Sequence, residues 1–172
     1  GTCMTVMQDS CHFGMAGYYI LELVDAGLAA FLTTATDAFL VPHGASRPFF
    51  GTNPIAFGFP APGIPVILDM ATTSIPFGKL AIAQKEGRKV PPEWGLDAEG
   101  RPCDDPALIR GLHPIAGPKG SGLAMVVDIL SSLFAGMAFG PHIVRMYEQM
   151  DRPRGLGHFL TVWDVGRFLP RE

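Results

Sequence analysis

We predict an α/β fold, a mixed sheet with packed helices, from three patterns in this 172-residue chain. Apolar side chains recur at helical spacing near its start, at Ala16, Tyr19, Ile20, Leu23 and Val24. Short apolar runs lie on either side of that helix, and they predict a buried strand at residues 3–7 and another at 28–33. A second helix is predicted after a glycine-rich turn, with one face made of Leu123, Val126, Val127, Leu130 and Phe134.

Turns and shorter elements fill the middle of the chain. Glycine and proline recur throughout residues 42–62, which predicts tight turns in this segment. A strand is predicted within it, at residues 55–59. Residues 66–70 form another short apolar run, which predicts a strand that ends in an acid. A helix is then expected to open within residues 71–74 and to carry Phe77, Leu80 and Ala81. No repeat or long linker divides the sequence, so we expect a single domain over residues 1–172.

The composition excludes several classes of protein. Apolar residues make up 48% and charged residues 17%, which supplies enough apolar surface for a core and excludes a disordered chain. The formal net charge of −3 provides no basic surface, so we expect no nucleic-acid partner. The longest apolar stretch, residues 122–140, is interrupted by Asp128, so we expect no membrane-spanning helix.

The cysteines and the start of the chain bear on the compartment. Cys3, Cys11 and Cys103 are odd in number and form no CxxC pair, which predicts reduced thiols in a cytoplasmic protein. The histidines have no metal-ligand spacing, so we predict no metal site. The chain has no signal-peptide pattern, and it begins without methionine in a strand-like run, so we expect further sequence upstream of Gly1.

Lys119 is the first candidate for ligand binding. It lies in the segment GPKGSG (117–122), directly before the second predicted helix. The first backbone N–H groups of a helix have no partner inside it, and the helix dipole adds partial positive charge there. With the lysine charge added, this segment could bind a phosphate or carboxylate; the alternative is a glycine-rich turn with a solvated lysine. Neither a Walker loop nor a GxGxxG fingerprint is present, so a Rossmann fold is not predicted.

His12 and Asp69 are candidates that also have structural explanations. An imidazole titrates near neutral pH, so His12, in a strand-to-helix loop, is a candidate acid or base. The alternative is a histidine that only stabilises the fold. Asp69 ends a predicted strand, where a carboxylate can accept hydrogen bonds from ribose hydroxyls or cap the next helix. In the segment GTNP (51–54), Asn53 can simply support a turn before Pro54.

Four segments, taken in order, resemble the malate/L-lactate dehydrogenase family, which is unrelated to the Rossmann lactate dehydrogenases. They are SCHFGMAGYY (10–19), FFGTNPIAFGFP (49–60), ILDMATT (67–73) and GPKGSGLAMVVDILSSLFAGMAFG (117–140). Each motif alone is weak, whereas all four in the family's order and spacing cover nearly the whole chain. The AGPKG segment and the tail at 142–159 are most similar to the family members that oxidise ureidoglycolate.

The resemblance implies a nicotinamide cofactor, NAD with NADP as the alternative, bound outside a Rossmann fold. It implies hydride exchange with a 2-hydroxy or 2-oxo acid, with ureidoglycolate to oxalurate as the favoured reaction and purine catabolism as its setting. The alternatives are a malate- or lactate-type dehydrogenase, a reductase of 2-oxo acids or cyclic imines, and a truncated remnant that folds or binds cofactor without turnover.

Residue roles are implied by the same resemblance. His12 would be the general acid and base that moves the hydroxyl proton, and Thr52 would lie near the substrate. The cofactor would be bordered by Phe13, Gly14, Thr36, Asp69, Met70, Ala71 and Lys119. Asp37 departs from the family's usual pattern, and its charge could repel a phosphate.

The resemblance also bears on assembly and on length. It implies a homodimer, in which the active site draws on both subunits. It further implies that the chain is a partial one, about half of a typical member. The absent parts would be an N-terminal helical region that binds the substrate carboxylate and a C-terminal segment that completes the cofactor site.

Overall fold

The computed structural model describes residues 1–168 and is built around a five-stranded sheet. Its strands are β1 (Thr2–Ser10), β2 (Leu28–Thr34), β3 (Ile55–Phe59), β4 (Val66–Met70) and β7 (Leu156–Asp164). They lie in the order β1-β7-β2-β3-β4. All pairings within this sheet are antiparallel. For β3 and β4 this follows from the short loop between them, which cannot make the crossover that parallel strands require. In the described residues, the mixture of directions expected from the sequence is confined to one parallel bridge outside this sheet, between Leu40 and Leu112.

Helices cover both faces of the sheet, which confirms the α/β class. On one face lies α1 (Ala16–Asp25), whose Ile20 and Val24 are buried against β2 and β3. On the other face lies α3 (Pro118–Asp128), continued by a π-helical turn (Ile129–Leu133) that contacts β7.

A second core lies beside the sheet. It is formed by α2 (Phe77–Lys85) and a two-stranded ribbon of β5 (Gly95–Leu96) and β6 (Gly111–Leu112). The predicted helix start within residues 71–74 is wrong. α2 begins only after Pro76, because the Thr72 backbone N–H is held in a loop by the Thr52 carbonyl oxygen, 2.9 Å away.

Strand positions are predicted better than burial. Residues 55–59 and 66–70 are strands, as predicted. The sequence predicts a buried strand at residues 3–7, but β1 is an edge strand and Met4 is 64% exposed. β7 has no counterpart among the predicted elements, although it lies inside the sheet between β1 and β2.

The buried face of α3 also differs from the predicted one. Leu123, Val126 and Phe134 are exposed, and of the predicted face only Val127 is fully buried. The residues that face the interior are otherwise small or polar, at Gly120, Ala124, Asp128, Ser131 and Ser132. Small side chains are required there because the helix lies so close to the sheet that large ones do not fit.

The cysteines form no cross-links: Cys3, Cys11 and Cys103 are free thiols, as the sequence predicts. Among residues 1–168, no helix is both long enough and apolar enough to cross a membrane. The same residues contain no group of three or more His, Cys, Asp or Glu side chains that could hold a metal ion.

Asp128 is a buried acid at the junction of α3 and the π-helical turn. Its Oδ2 accepts a hydrogen bond from the Gly140 backbone N–H at 3.1 Å, whereas its buried Oδ1 has no partner within residues 1–168. Burial raises the pKa of Asp128 to about 6. Because this is above the value of 3.8 for a free side chain, the folded protein binds the proton more tightly than the unfolded chain does. Stability from this group is therefore present at acidic pH and is lost as the pH rises towards 6.

Asp128→Asn is expected to remove that loss. Between pH 4 and pH 8 the wild type should lose about 2–3 kcal/mol of unfolding free energy through Asp128, and the variant should not. Urea unfolding of both proteins at pH 4, 6 and 8 measures the difference. The control is Asp25→Asn on α1, because Asp25 is exposed. Parallel pH profiles for wild type and Asp128→Asn would contradict the prediction.

Candidate active site

Loops from five segments meet at one end of the central sheet. In an antiparallel sheet, the last residue of one strand lies beside the first residue of its neighbour. His12 follows β1 and Thr36 follows β2, whereas Thr52 precedes β3 and Arg154 precedes β7. Asp69 lies at the corresponding end of β4. The topology therefore brings together side chains that are far apart in the sequence.

Two adjoining clefts open at this end. The first cleft is lined by His12, Thr36, Asp37, Phe39, Thr52, Phe77, Gly78, Met146, Tyr147 and Arg154. The second cleft is lined by Asp69, Met70, Ala71 and several loop residues, and it shares Thr52 and Phe77 with the first. The structure thus places the predicted residues His12, Thr36 and Thr52 in one cleft and the predicted triplet 69–71 in the other.

His12 is exposed at the first cleft, and its ring orientation is set by its own loop. Its Nδ1 accepts a hydrogen bond from the Gly14 backbone N–H at 3.1 Å. With Nδ1 as the acceptor, the neutral ring carries its proton on Nε2. Gly14 has a φ of 87°, a left-handed conformation that favours glycine, so this loop geometry explains the glycine of the HFG motif.

Phe13 anchors the loop that carries His12. Its ring meets Tyr19 edge-on at 5.3 Å and His158 edge-on at 4.6 Å, and its carbonyl oxygen accepts a hydrogen bond from the Tyr19 hydroxyl at 2.9 Å. Neither Phe13 nor Gly14 is among the residues that line the two clefts. Their predicted role beside the cofactor stays a prediction, and the contacts that they make here are those of a rigid support.

His158 is a supporting residue that the sequence did not distinguish from the other histidines. It is buried, and its Nδ1 lies 2.7 Å from the Thr34 hydroxyl oxygen. Burial lowers the pKa of His158, and the nearby His12 lowers it further. A neutral His158 therefore lies below the loop of His12 and Phe13. Its place in β7 could have been found from the strand pattern of residues 156–164.

A network of hydrogen bonds fixes the two threonines of the first cleft. The Thr52 N–H donates to the Thr36 Oγ1 at 2.9 Å, and the Thr36 N–H donates to the Asn53 Oδ1 at 3.0 Å. The Asn53 Nδ2 donates to the Ala124 carbonyl oxygen of α3 at 2.9 Å. The structural explanation of Asn53 is thus confirmed, since it supports the turn at a φ of 35°. A Cβ at Gly51 would stand 2.1 Å from the Thr36 Oγ1, so only glycine permits this approach.

Asp69 caps a helix, but not the one that follows it in the sequence. Its Oδ2 accepts a hydrogen bond at 2.7 Å from the Gly17 N–H in the first turn of α1. A side chain at position 17 would crowd this carboxylate, because a Cβ would stand 3.0 Å from the same oxygen. Among residues 1–168, no hydrogen bond is made to Oδ1, so one oxygen of Asp69 is available in the second cleft.

Lys119 lines neither of the two clefts. It lies exposed in the first turn of α3, after the left-handed residues Ala116 and Gly117. Its predicted position at a helix N-terminus is confirmed. Ile115, a few residues earlier, does line the second cleft. The binding role of Lys119 stays a prediction.

Arg154 is the charged residue of the first cleft that the sequence did not single out. It forms an ion pair with Asp37, and its Nε donates to the Val144 carbonyl oxygen at 3.3 Å. The side chains of Arg154 and Asp37 are only 11% and 26% exposed. No local pattern predicts this pair, because 117 positions separate the two residues.

Proteins of known function are similar to this chain in sequence and in fold. Ureidoglycolate dehydrogenase (NAD(+)) of Escherichia coli O157:H7 is 36% identical over 173 residues, which is 100% of this chain and 50% of that protein. (2R)-3-sulfolactate dehydrogenase (NADP(+)) of Chromohalobacter salexigens is 33% identical, over 98% of this chain and 51% of its own length. The crystal structure of Δ1-piperideine-2-carboxylate reductase from Pseudomonas syringae superposes with a TM-score of 0.91 at 33% identity, over 99% of this chain and 53% of that one.

The chain spans about half the length of the curated relatives it matches. The family model described as malate/L-lactate dehydrogenase matches residues 1–172. The resemblance seen in the four sequence motifs is therefore confirmed, and the chain belongs to the malate/L-lactate dehydrogenase family.

Proposed function

We propose that this chain is the single cofactor-binding domain of an NAD(P)-dependent oxidoreductase that transfers hydride between nicotinamide and a 2-hydroxy or 2-oxo acid. The observation that carries the proposal is the pair of adjoining clefts, one with His12 and the other with residues 69–71. Thr52 and Phe77 form their common wall. A ligand that spans both clefts would therefore contact Thr52 and Phe77.

The residues of the second cleft fit a dinucleotide. The available Oδ1 of Asp69 can accept hydrogen bonds from ribose hydroxyls. None of the residues that line this cleft is Lys or Arg, so nothing there favours the additional phosphate of NADP. We therefore favour NAD, with NADP as the alternative. When bound, the nicotinamide ring supplies or accepts the hydride.

His12 would transfer the proton of the substrate hydroxyl. In the reducing direction His12 would act as the imidazolium, whose Nε2–H donates to the oxygen of a 2-oxo acid and delivers its proton to the developing alkoxide, which leaves the neutral ring. In the oxidising direction the neutral imidazole accepts the hydroxyl proton at Nε2, for which the ring's own proton must lie on Nδ1. The contact between the Gly14 N–H and Nδ1 must therefore open both in that tautomer and in the imidazolium. Thr52 would hold the substrate beside His12, within the same cleft.

Ureidoglycolate is the substrate we favour, with oxalurate as the product. The support is the similarity to ureidoglycolate dehydrogenase over the whole of this chain. A malate-type dehydrogenase and a reductase of 2-oxo acids or cyclic imines are the catalytic alternatives. The third alternative is a truncated chain that folds or binds cofactor without turnover, because the relatives are about twice as long.

We also propose a homodimer. Large apolar side chains are exposed on the sheet and on the helices, among them Met4 at 64%, Val66 at 59% and Phe134 at 61%. Apolar surface of this extent is more typical of an interface than of a monomer's exterior. Sedimentation velocity over a range of concentrations is expected to give a species of twice the chain mass, and a monomer at every concentration would contradict it.

Titration of the chain with NADH and NADPH, followed by nicotinamide fluorescence, tests the cofactor proposal. NADH is expected to bind saturably and more tightly than NADPH. Lys119→Ala should weaken binding by about 10- to 100-fold, because a charge-assisted hydrogen bond is lost. Lys85→Ala in the last turn of α2 is the matched control.

Each result has a distinct meaning. Wild-type affinity in Lys119→Ala would remove Lys119 from the cofactor site and leave the clefts as the binding region. A folded wild type that binds neither nucleotide would contradict the cofactor proposal and favour the remnant.

A further inference from the structure

We propose that Asn53 and Asp128 are positioning residues of the first cleft. Together they connect the threonines Thr36 and Thr52 to α3, and they thereby fix where a threonine hydroxyl proton is offered to a bound ligand. This role rests on the proposed function, because neither residue lines a cleft and both act through the two threonines.

Thr52 connects the two clefts through its backbone. Its N–H donates to the Thr36 Oγ1 at 2.9 Å. Its carbonyl oxygen accepts hydrogen bonds from the Thr72 N–H at 2.9 Å and from the Thr72 hydroxyl at 3.0 Å. Thr36 lines the first cleft, and Thr72 directly follows Ala71 of the second. A displacement of Thr52 would therefore change the wall that both clefts share.

The hydroxyls of Thr36 and Thr52 together leave one proton for a ligand. Their Oγ1 atoms lie 3.3 Å apart, and either can be the donor. Each hydroxyl has one proton, so the bond between them uses one and leaves the other, whichever threonine donates. Among residues 1–168, neither hydroxyl has another acceptor. Because both threonines line the first cleft, the remaining proton is available to an oxygen of a bound ligand there.

Asn53 links these threonines to α3. It is fully buried, and its Oδ1 accepts a hydrogen bond from the Thr36 N–H at 3.0 Å. Its Nδ2 donates to the Ala124 carbonyl oxygen at 2.9 Å. Asn53 also follows Thr52 directly in the chain. A movement of its side chain would therefore displace Thr36 through the hydrogen bond and Thr52 through the backbone.

Asp128 faces Asn53 from α3, one turn beyond Ala124. Burial raises the pKa of this acid, whereas the Asn53 amide and the Gly140 N–H lower it, which places the carboxyl beside Asn53. Asp128 is 4% exposed and, in the part of the chain that the structure describes, it has no ion-pair partner. A buried acid without a cation weakens the folded state at neutral pH, so stability does not explain its presence.

Asp128→Asn separates a positioning role from a structural one. An asparagine has one side-chain oxygen, so it cannot accept from both the Gly140 N–H and the Asn53 amide. The variant is expected to be more stable than the wild type at pH 8, yet to have a kcat/KM about tenfold lower because the threonines are displaced. If Asp128 served the fold alone, the stabilised variant would keep the wild-type rate. Steady-state rates with the best of ureidoglycolate, malate and lactate measure it.

Asn53→Asp is the complementary change, since aspartate is similar in size and also tolerates the left-handed backbone of this position, at a φ of 35°. It keeps an oxygen for the Thr36 N–H but sets a second acid beside Asp128. We expect kcat/KM to fall by about 100-fold. The NADH dissociation constant should change by less than about threefold, because Asp69 is held by the Gly17 N–H of α1 instead.

The double variant Asn53→Asp/Asp128→Asn exchanges the amide and the acid. An amide N–H then donates from position 128 to the carboxylate at position 53, so kcat/KM should recover to within about tenfold of the wild type. Gln84→Glu is the matched control, because it replaces an exposed amide on α2 by an acid. It should keep the wild-type rate.

A spectroscopic test of the contact does not depend on turnover. Asn53 is the only asparagine in the sequence, so labelling with ¹⁵N-asparagine gives the signal of a single side-chain amide. Asp128→Asn is expected to shift both amide proton resonances, whereas Gln84→Glu should leave them unchanged.

The outcomes distinguish this role from the proposed function. Wild-type kcat/KM in Asp128→Asn, or an unshifted Asn53 signal, overturns the role, while wild-type turnover continues to support the dehydrogenase proposal. If Asn53→Asp fails to fold, Asp128→Asn and the double variant decide. A wild type that binds NADH but turns over no hydroxy acid overturns this role together with the catalytic proposal, and the cofactor proposal stands.

Discussion

His12→Ala is expected to lower kcat/KM for ureidoglycolate by about 10²- to 10⁴-fold, the usual contribution of a general acid or base. NADH binding should change little, because His12 lines the first cleft and not the second. Steady-state rates of NADH formation from ureidoglycolate, with malate and lactate in parallel, measure the loss. Added imidazole should restore part of the rate, since the side chain is exposed and its removal leaves room for a free base.

His142→Ala is the matched control, because His142 is also exposed and lines neither cleft. It should keep the wild-type rate. Retention of most activity by His12→Ala would exclude His12 as the proton carrier. A wild type that binds NADH but turns over none of the three substrates would favour the non-catalytic alternative.

Gly157→Ala is expected to destabilise the fold by about 3 kcal/mol or more, or to prevent folding. The added Cβ would stand 1.7 Å from the Ser131 carbonyl oxygen and 2.7 Å from the Cβ of Ala135. Backbone atoms of the π-helical turn cannot yield as a flexible side chain would. Urea unfolding followed by tryptophan fluorescence measures the effect.

Gly122→Ala in α3 provides the contrast, because no atom lies within 4 Å of a Cβ built there. It should stabilise the protein by about 0.5–1 kcal/mol, the usual gain on replacing a helical glycine by alanine. Equal unfolding midpoints for Gly157→Ala and the wild type would show that β7 and the π-helical turn are packed less closely than described.

The strands and the local motifs were the most predictable part of this protein. Residues 55–59 and 66–70 are short apolar runs, and each directly follows a proline. His12 and Thr52 were found because each lies in a recognisable motif. Their convergence depends on strand pairing, which a motif does not specify. The antiparallel pairing places the end of β1, the end of β2 and the start of β3 at one end of the sheet.

The unpredicted features depend on contacts between distant segments. The sequence predicts that the large side chains of α3 are buried, whereas close approach to the sheet selects the small residues Ala124 and Ser131 instead. Arg154 and Asp37 form an ion pair although 117 positions separate them in the sequence. No local sequence pattern around either residue predicts the contact. β7 carried a pattern that could have been found, since aromatic and β-branched residues fill its second half.

The pairing of β1 with β7 has a consequence for the order in which this protein forms. β1 has no other partner among the described strands, and its Thr2 pairs with Trp163. A growing chain can assemble β2, β3 and β4 early, because these strands are close in sequence and pair with one another. β1 must wait until residues 156–164 have emerged from the ribosome, and contacts of such long range slow folding. The cleft of His12 and Arg154 is therefore completed last, so a chain cut short before residue 154 would lack it however well the rest had folded.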